Sequence, residues 1–146
     1  MDDFVAGPYE TALAHNEMLL EVRIPLRHNT SSAYAKVERR VGDWAVTAAG
    51  AAVTVDDGAI AAARVGLTAV NADAAALAAV SESLVGRPAT EEVFAHAGRA
   101  AAEACEPVTD IRGSAEYKRH LAAELTRRTL RSAVERVRNI PEPKGN

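Results

Sequence analysis

Val53-Thr54-Val55-Asp56-Asp57-Gly58-Ala59-Ile60-Ala61-Ala62 is the stretch on which the fold turns. Asp57-Gly58 is a two-residue turn signal, because Asp tolerates and Gly prefers the positive φ of a type I′ turn. The turn joins two runs, Trp44 to Val55 and Ala59 to Val70, into an antiparallel hairpin. In the expected register Val55 faces Ile60 and Val53 faces Ala62, while Ala52, Ala63, Val65 and Leu67 serve the opposite face. Ala-rich stretches have low strand propensity, so a helix over 45–53 is the alternative. The turn chemistry and the Val, Ile and Thr positions agree with each other and favour the hairpin.

Upstream, Ser32 to Arg40 alternates: Tyr34, Lys36 and Glu38 share one face, and Ala33, Ala35 and Val37 the other. Before it, Met18 to Ile24 is a short apolar run read as a strand and stopped by Pro25, which lacks a backbone donor. Downstream the pattern turns helical. Asp73 to Leu84 is rich in Ala and Leu and ends against Gly86 and Pro88. Thr90 is placed to cap a second helix, with Glu91 and Glu92 where the dipole favours negative charge, running to about Ala104 and stopping before Pro107. Ser114 caps the longest helix, which carries Tyr117, Leu121, Leu125, Leu130, Val134 and Val137 as its apolar stripe. Strands followed by helices, without βαβ alternation, make the class α+β: a small antiparallel sheet of three to four strands packed against three C-terminal helices. Residues 1–138 form one domain and 139–146 a tail.

Composition narrows the function. With 146 residues, 48% hydrophobic and 25% charged, the chain is an ordinary globular domain. A net charge of −3 argues against a surface built as a whole for nucleic acid. The single cysteine, Cys105, excludes an internal disulfide framework or a cluster held by this chain alone, and is read as a buried small residue. His15, His28, His96 and His120 show no ligand spacing, so no metal site is expected. The nine glycines include no G-x-G pair, which leaves neither a dinucleotide fingerprint nor a P-loop. The acidic start Met1-Asp2-Asp3-Phe4 is no signal peptide and no apolar run approaches the roughly 18 residues of a span, so a cytoplasmic location without membrane contact is expected.

Two features invite a functional reading. On the last helix Lys118, Arg119, His120, Arg127, Arg128, Arg131, Arg136 and Arg138 outnumber Glu116, Glu124 and Glu135. These cations suit either a solvated face near the negative end of the dipole, a protein contact or an anion patch; no interleaved aromatics speak for nucleic acid. The other is the loop Val37-Glu38-Arg39-Arg40-Val41-Gly42-Asp43-Trp44. Its structural role is a connection with an Asp–Arg pair and a Trp anchoring the sheet. Its functional role is a charged, backbone-rich border for a planar anionic cofactor such as a flavin.

Four segments carry a resemblance: Gly7 to Leu13; Glu21-Val22-Arg23-Ile24-Pro25; Ser32 through Ala45; and Pro107 through Leu121. In this order and spacing they resemble the C-terminal domain of the medium, FAD-binding subunit of molybdenum hydroxylases, the carbon monoxide dehydrogenase and xanthine dehydrogenase family. The resemblance covers roughly residues 4 to 138. It implies an α+β domain beside an N-terminal FAD-binding domain, which is absent from this sequence as a truncation, a split gene product or a relic. It further implies an iron–sulfur subunit and a molybdenum subunit as partners, with electrons passing through the clusters to FAD and on to an external acceptor. Carried over by position, Lys36 and Asp43 would tune the ring's surroundings, Tyr34 and Trp44 would supply shape and packing, and Arg39 belongs to the same border. The cluster Asp110, Arg112, Ser114 and Tyr117 would fix the start of the last helix. Alone, the chain is expected to bind no FAD and to be inactive. The alternative is a flavin-free interaction module that docks to hydroxylase subunits or forms a homo-oligomer.

Overall fold

The computed structural model describes residues 4–7, 10–24 and 27–139. A short antiparallel pair, β1 (Val5–Gly7) and β2 (Glu10–Thr11), precedes the main sheet of β3 (Thr30–Val37), β4 (Thr47–Asp56) and β5 (Ala59–Thr68), ordered β3-β4-β5 and antiparallel throughout. Three helices follow: α1 (Ala74–Ser83), α2 (Glu91–Glu103) and α3 (Ala115–Arg138). The α+β class, the three-stranded sheet and the three C-terminal helices agree with the sequence reading.

The hairpin forms for the reason its turn gives. Asp57 and Gly58 sit at φ 47° and 80°, both in the left-handed region that a type I′ turn demands. The helical alternative over 45–53 does not occur. The register needs one correction: Val55 pairs with Ile60, but Val53 pairs with Ala63 instead of Ala62, because a bulge lies between Thr54 and Val55. The extra residue puts Val53, Val55, Ile60, Ala63 and Val65 together in the core, so Val53 and Ala63 do not point to opposite faces. The preceding strand ends at Val37, earlier than expected: Glu38 to Arg40 leave the ladder to form the turn.

Met18 to Ile24, expected as a strand, has no strand structure. Its side chains are exposed and its backbone has no ladder partner among the described residues, so a short apolar run alone does not make a strand here. Pro25 and the tail from residue 140 lie outside the described residues.

The helices share one core with the sheet: α3 packs on β3 and β4, α1 on β5, and α2 against α3 and α1. Ala33, Ala51, Val53, Ala63 and Val65 meet Leu77 and Val80 of α1, Phe94, Ala97 and Ala101 of α2, and Leu130, Ala133 and Val134 of α3. A floor of Ala residues lets the helices sit close, and fully burying each Leu, Val or Phe contributes ~1.5–3 kcal/mol. The start of α1 is capped by Asp73, whose carboxylate accepts from Ala76 N at 2.6 Å. Thr90 occupies the cap of α2 without a side-chain bond, and Ser114 caps α3 through Tyr117 N at 3.1 Å. On α3 the buried stripe runs through Lys118, Leu121, Leu125, Leu130 and Val134; Tyr117, expected to open it, is half-exposed. The free edge of β5 is covered by Ser81, whose hydroxyl accepts from Val65 N at 3.0 Å while donating to Leu77 O.

Candidate functional site

With the helices on one side, no helix covers the other face of the sheet, which is open along Ser32, Tyr34, Arg64 and Gly66 and buried at Ala48. The pairing sets its rows: Ser32, Ala52 and Arg64; Tyr34, Gly50 and Gly66; Lys36, Ala48 and Thr68. The central strand contributes only Ala48, Gly50 and Ala52, so the middle of this face is low, with larger side chains on its flanks. At one end a groove of about 490 Å³ is lined by Ile24, Arg27, Thr30, Ser32, Thr54 and Arg64.

At the other end the β3–β4 connection closes over the sheet. Val46 N donates to Val37 O at 2.7 Å, and Asp43 N to Arg40 O at 3.0 Å. Gly42 holds φ 82°, a conformation that turns the chain back without a Cβ penalty. That turn sets the Asp43 carbonyl 3.2 Å from Lys36 Nζ, which donates to it. Asp43 Oδ1 accepts from Trp44 N at 2.8 Å, and Oδ2 lies 3.6 Å from Arg39 Nε. Period-two alternation places Tyr34 beside Lys36 on the bare face, where its ring runs over Gly50. The structure therefore brings all five sequence-identified residues, Tyr34, Lys36, Arg39, Asp43 and Trp44, to one rim.

Their exposure sorts their roles. Tyr34 is 63% and Trp44 77% exposed, so Trp44 does not anchor the sheet. Asp43 is the least exposed of the charged members, and its Oδ2 is buried with no hydrogen-bond partner among the described residues. Lys36 is held as a cation: contact with Glu38, 2.5 Å away, raises its pKa, with Tyr34 and Asp43 adding to the effect. Glu38 was legible as a same-face neighbour of Lys36 but was not assigned that pairing. Arg64 was not anticipated at all; only the register across Ala52 puts it on this face.

The basic helix is largely engaged with its own chain. Arg127 and Arg128 contact Glu124, Arg127 and Arg131 contact Glu91, Arg136 donates to the Ser32 carbonyl and Arg138 to the Ala89 carbonyl. Lys118 is not solvated but buried against Asp110. The segment Asp110 to Tyr117 does shape the start of α3: Asp110 Oδ1 accepts from Arg112 N at 2.8 Å, and Asp110 and Gly113 exchange backbone bonds. Cys105 is buried, and that burial pushes its thiol pKa up. Among the described residues no cluster of three or more His, Cys, Asp or Glu could hold a metal ion, and no helix is long and apolar enough to cross a membrane.

Residues 32–133 match the family described as CO dehydrogenase flavoprotein C-terminal domain. The chain is 34% identical over 136 residues to the carbon monoxide dehydrogenase medium chain of Hydrogenophaga pseudoflava, covering 92% of this chain and 47% of that one. It is 32% identical to the nicotine 6-hydroxylase medium subunit of Paenarthrobacter nicotinovorans, covering 93% and 48%. Among solved structures, carbon monoxide dehydrogenase from Hydrogenophaga pseudoflava lacking the Mo-pyranopterin moiety superposes with a TM-score of 0.81 at 34% identity, covering 92% of this chain and 47% of that one. Quinoline 2-oxidoreductase from Pseudomonas putida 86 follows at 0.78 and 33%, with the same coverage. The chain thus spans about half the length of the relatives it matches.

Proposed function

Because the chain belongs to the CO dehydrogenase flavoprotein C-terminal domain family, we propose that its bare sheet face forms one wall of an FAD site in the medium subunit of a molybdenum hydroxylase. In this role it helps enclose FAD and supports electron passage from iron–sulfur clusters to an external acceptor, without catalysis of its own. The partners are an N-terminal FAD-binding domain, an iron–sulfur subunit and a molybdenum subunit. The observation that carries the reading is the rim itself: a fixed cation at Lys36, an unsatisfied buried oxygen at Asp43, and two exposed rings beside a floor of Gly and Ala.

These residues fit a planar, polar-edged ring. Asp43 Oδ2 lacks a donor, and an N–H on a heterocycle edge would satisfy it, offsetting a desolvation cost of about 1–3 kcal/mol. Lys36 can present its one remaining N–H to an electron-rich edge while Glu38 and the Asp43 carbonyl fix its position. Arg39 orients Asp43 from 3.6 Å. Tyr34 and Trp44 offer apolar surface that excludes water from the rim. Bound FAD would supply reversible one- and two-electron transfer, and a fixed charge in a desolvated site biases the potential at which that occurs.

The test is made in the assembled enzyme. Lys36→Met and Asp43→Asn should each shift the flavin potential, Lys36→Met making reduction harder through loss of a nearby cation, and acceptor turnover should change with it. If both variants leave potential and turnover at the parent values, the rim is structural and the proposal fails.

A further inference from the structure

At the end of the open sheet face away from the Lys36 rim, the groove of about 490 Å³ is lined by two guanidinium groups, Arg27 and Arg64, and by no acidic side chain. Among the described residues neither arginine meets a carboxylate within ion-pair distance, in contrast to Arg127, Arg128 and Arg131 of α3. The register sets Arg64 in one row with Ala52 and Ser32, so a hydroxyl lies across the same floor. Arg64 Nη1 donates to the Ala63 carbonyl at 3.3 Å, which leaves the other N–H groups of that fork unspent. Thr30 and Thr54 form the end wall. Their hydroxyls lie 2.8 Å apart and Thr30 donates to the His28 carbonyl at 3.2 Å, so they satisfy each other and keep the wall in place. The floor between these groups is Ala52 and Ala62, apolar and without bulk.

We propose that this groove binds a small phosphomonoester, with its phosphate held between Arg27 and Arg64 and its organic part on the Ala52–Ala62 floor beside Ile24. Two like charges brought to one concave surface repel each other, and a dianion between them removes that cost. Guanidinium groups suit phosphate in particular, because their planar forks donate parallel N–H bonds to two oxygens at once. Size selects an ester over the free ion. A groove of about 490 Å³ falls among small-molecule sites, which span ~300–1,000 Å³, and a lone oxyanion would leave most of it empty. A polymeric anion is disfavoured by the net charge of −3. The groove is a second site, separate from the flavin reading: Ser32 and Lys36 share β3 and stand about 13 Å apart at the rise of a strand.

The experiment is a titration of the full chain with AMP, inorganic phosphate and adenosine at constant ionic strength, followed by amide chemical shifts. AMP should give saturable shifts centred on Thr30, Ser32, Ala52, Thr54, Ala62 and Arg64, and should bind about tenfold more tightly than inorganic phosphate. Arg27→Gln and Arg64→Gln should each weaken AMP by about tenfold or more, since each removes a charge-assisted contact. Both side chains are exposed, so the melting temperatures of these variants should match the parent. Arg99→Gln removes an equal charge from the exposed side of α2 and should leave AMP affinity unchanged. The same titration on the chain joined behind the N-terminal half of the Hydrogenophaga pseudoflava medium chain should return the same affinity. Absence of saturable shifts in either protein overturns the proposal. Adenosine binding as tightly as AMP overturns it in favour of an apolar groove, and inorganic phosphate binding as tightly as AMP overturns it in favour of the free ion. Weakening in Arg99→Gln equal to that in Arg64→Gln also overturns it, because the attraction would then be diffuse.

Discussion

The Lys118 ammonium lies 2.8 Å from the Asp110 carboxylate and 2.8 Å from the Val108 carbonyl, with only 3% of its side chain exposed. This contact ties the irregular segment before α3 to the helix's first turn. Asp110 is 38% exposed, and its pKa is lowered by the hydrogen bond from Lys118 and then by that from the Arg112 amide. The two partners are therefore unequal. Removing the carboxylate charge strands a buried ammonium, whereas removing the ammonium leaves a carboxylate that water reaches. Asp110→Ala should lower stability more than Lys118→Met, read from urea unfolding. The reverse ranking would show that the site tolerates a buried unpaired ammonium.

The second prediction concerns helix packing. A Cβ at Gly98 would stand 2.5 Å from the Ala123 carbonyl oxygen of α3, a backbone atom that cannot rotate away. Gly98→Ala should therefore destabilise by about 1–3 kcal/mol through overpacking, against the ~1 kcal/mol that alanine's helix propensity contributes. At Gly66 on the bare face a Cβ meets nothing within 4 Å, so Gly66→Ala should leave the melting temperature unchanged or slightly raised. Equal effects at the two positions would contradict the close approach of α2 and α3.

Acid titration supplies a third. Hydrogen bonds from Arg127, then Arg128, hold the Glu124 carboxyl at about 2, down from 4.5. A depressed carboxylate pKa contributes stability that is complete above the unfolded value and is lost as pH falls through the folded one. The loss attributable to Glu124 thus falls between pH 4.5 and about 2. Glu124→Gln should flatten stability against pH within that window, and the carboxyl chemical shift should titrate near its lower end. A midpoint near 4.5 would mean that the arginine contacts do not persist in solution.

These cases show which parts of the molecule could be read from sequence. The Asp57-Gly58 turn was legible because its chemistry is local: two consecutive positive φ angles leave few residue choices. The rim was legible because period-two alternation fixes which side Tyr34 and Lys36 share, and the turn at Gly42 returns Asp43 to them. The bulge beside Thr54 was not, since Ala61 and Ala62 carry no mark of which one is extra. Met18 to Ile24 misled for the opposite reason. Its apolar run is real, but a strand requires a partner that the run cannot supply. Lys118 was counted among solvated cations because burial of a lysine depends on Asp110 and Val108, which lie in an irregular segment with no helical periodicity.

Trp44 gives the last prediction, which joins the fold to the proposed site. It is the sole tryptophan and 77% exposed, so its fluorescence reports on the rim without interference from other indoles. Its backbone N–H is bound by Asp43 Oδ1, which fixes the loop while leaving the ring in water. Trp44→Ala should change stability by less than about 0.5 kcal/mol, because little apolar area leaves the core. In the free chain the indole should emit as in water and be quenched readily by iodide. When the chain is joined to a flavin-bearing N-terminal half from which tryptophans have been removed, emission should shift to the blue, iodide access should fall, and the remaining intensity should drop through energy transfer to the flavin. A rim that faced away from the flavin would keep its water-like emission and iodide access in the assembled protein. A Trp44→Ala variant that lost several kcal/mol would instead make the ring an anchor, contrary to its exposure.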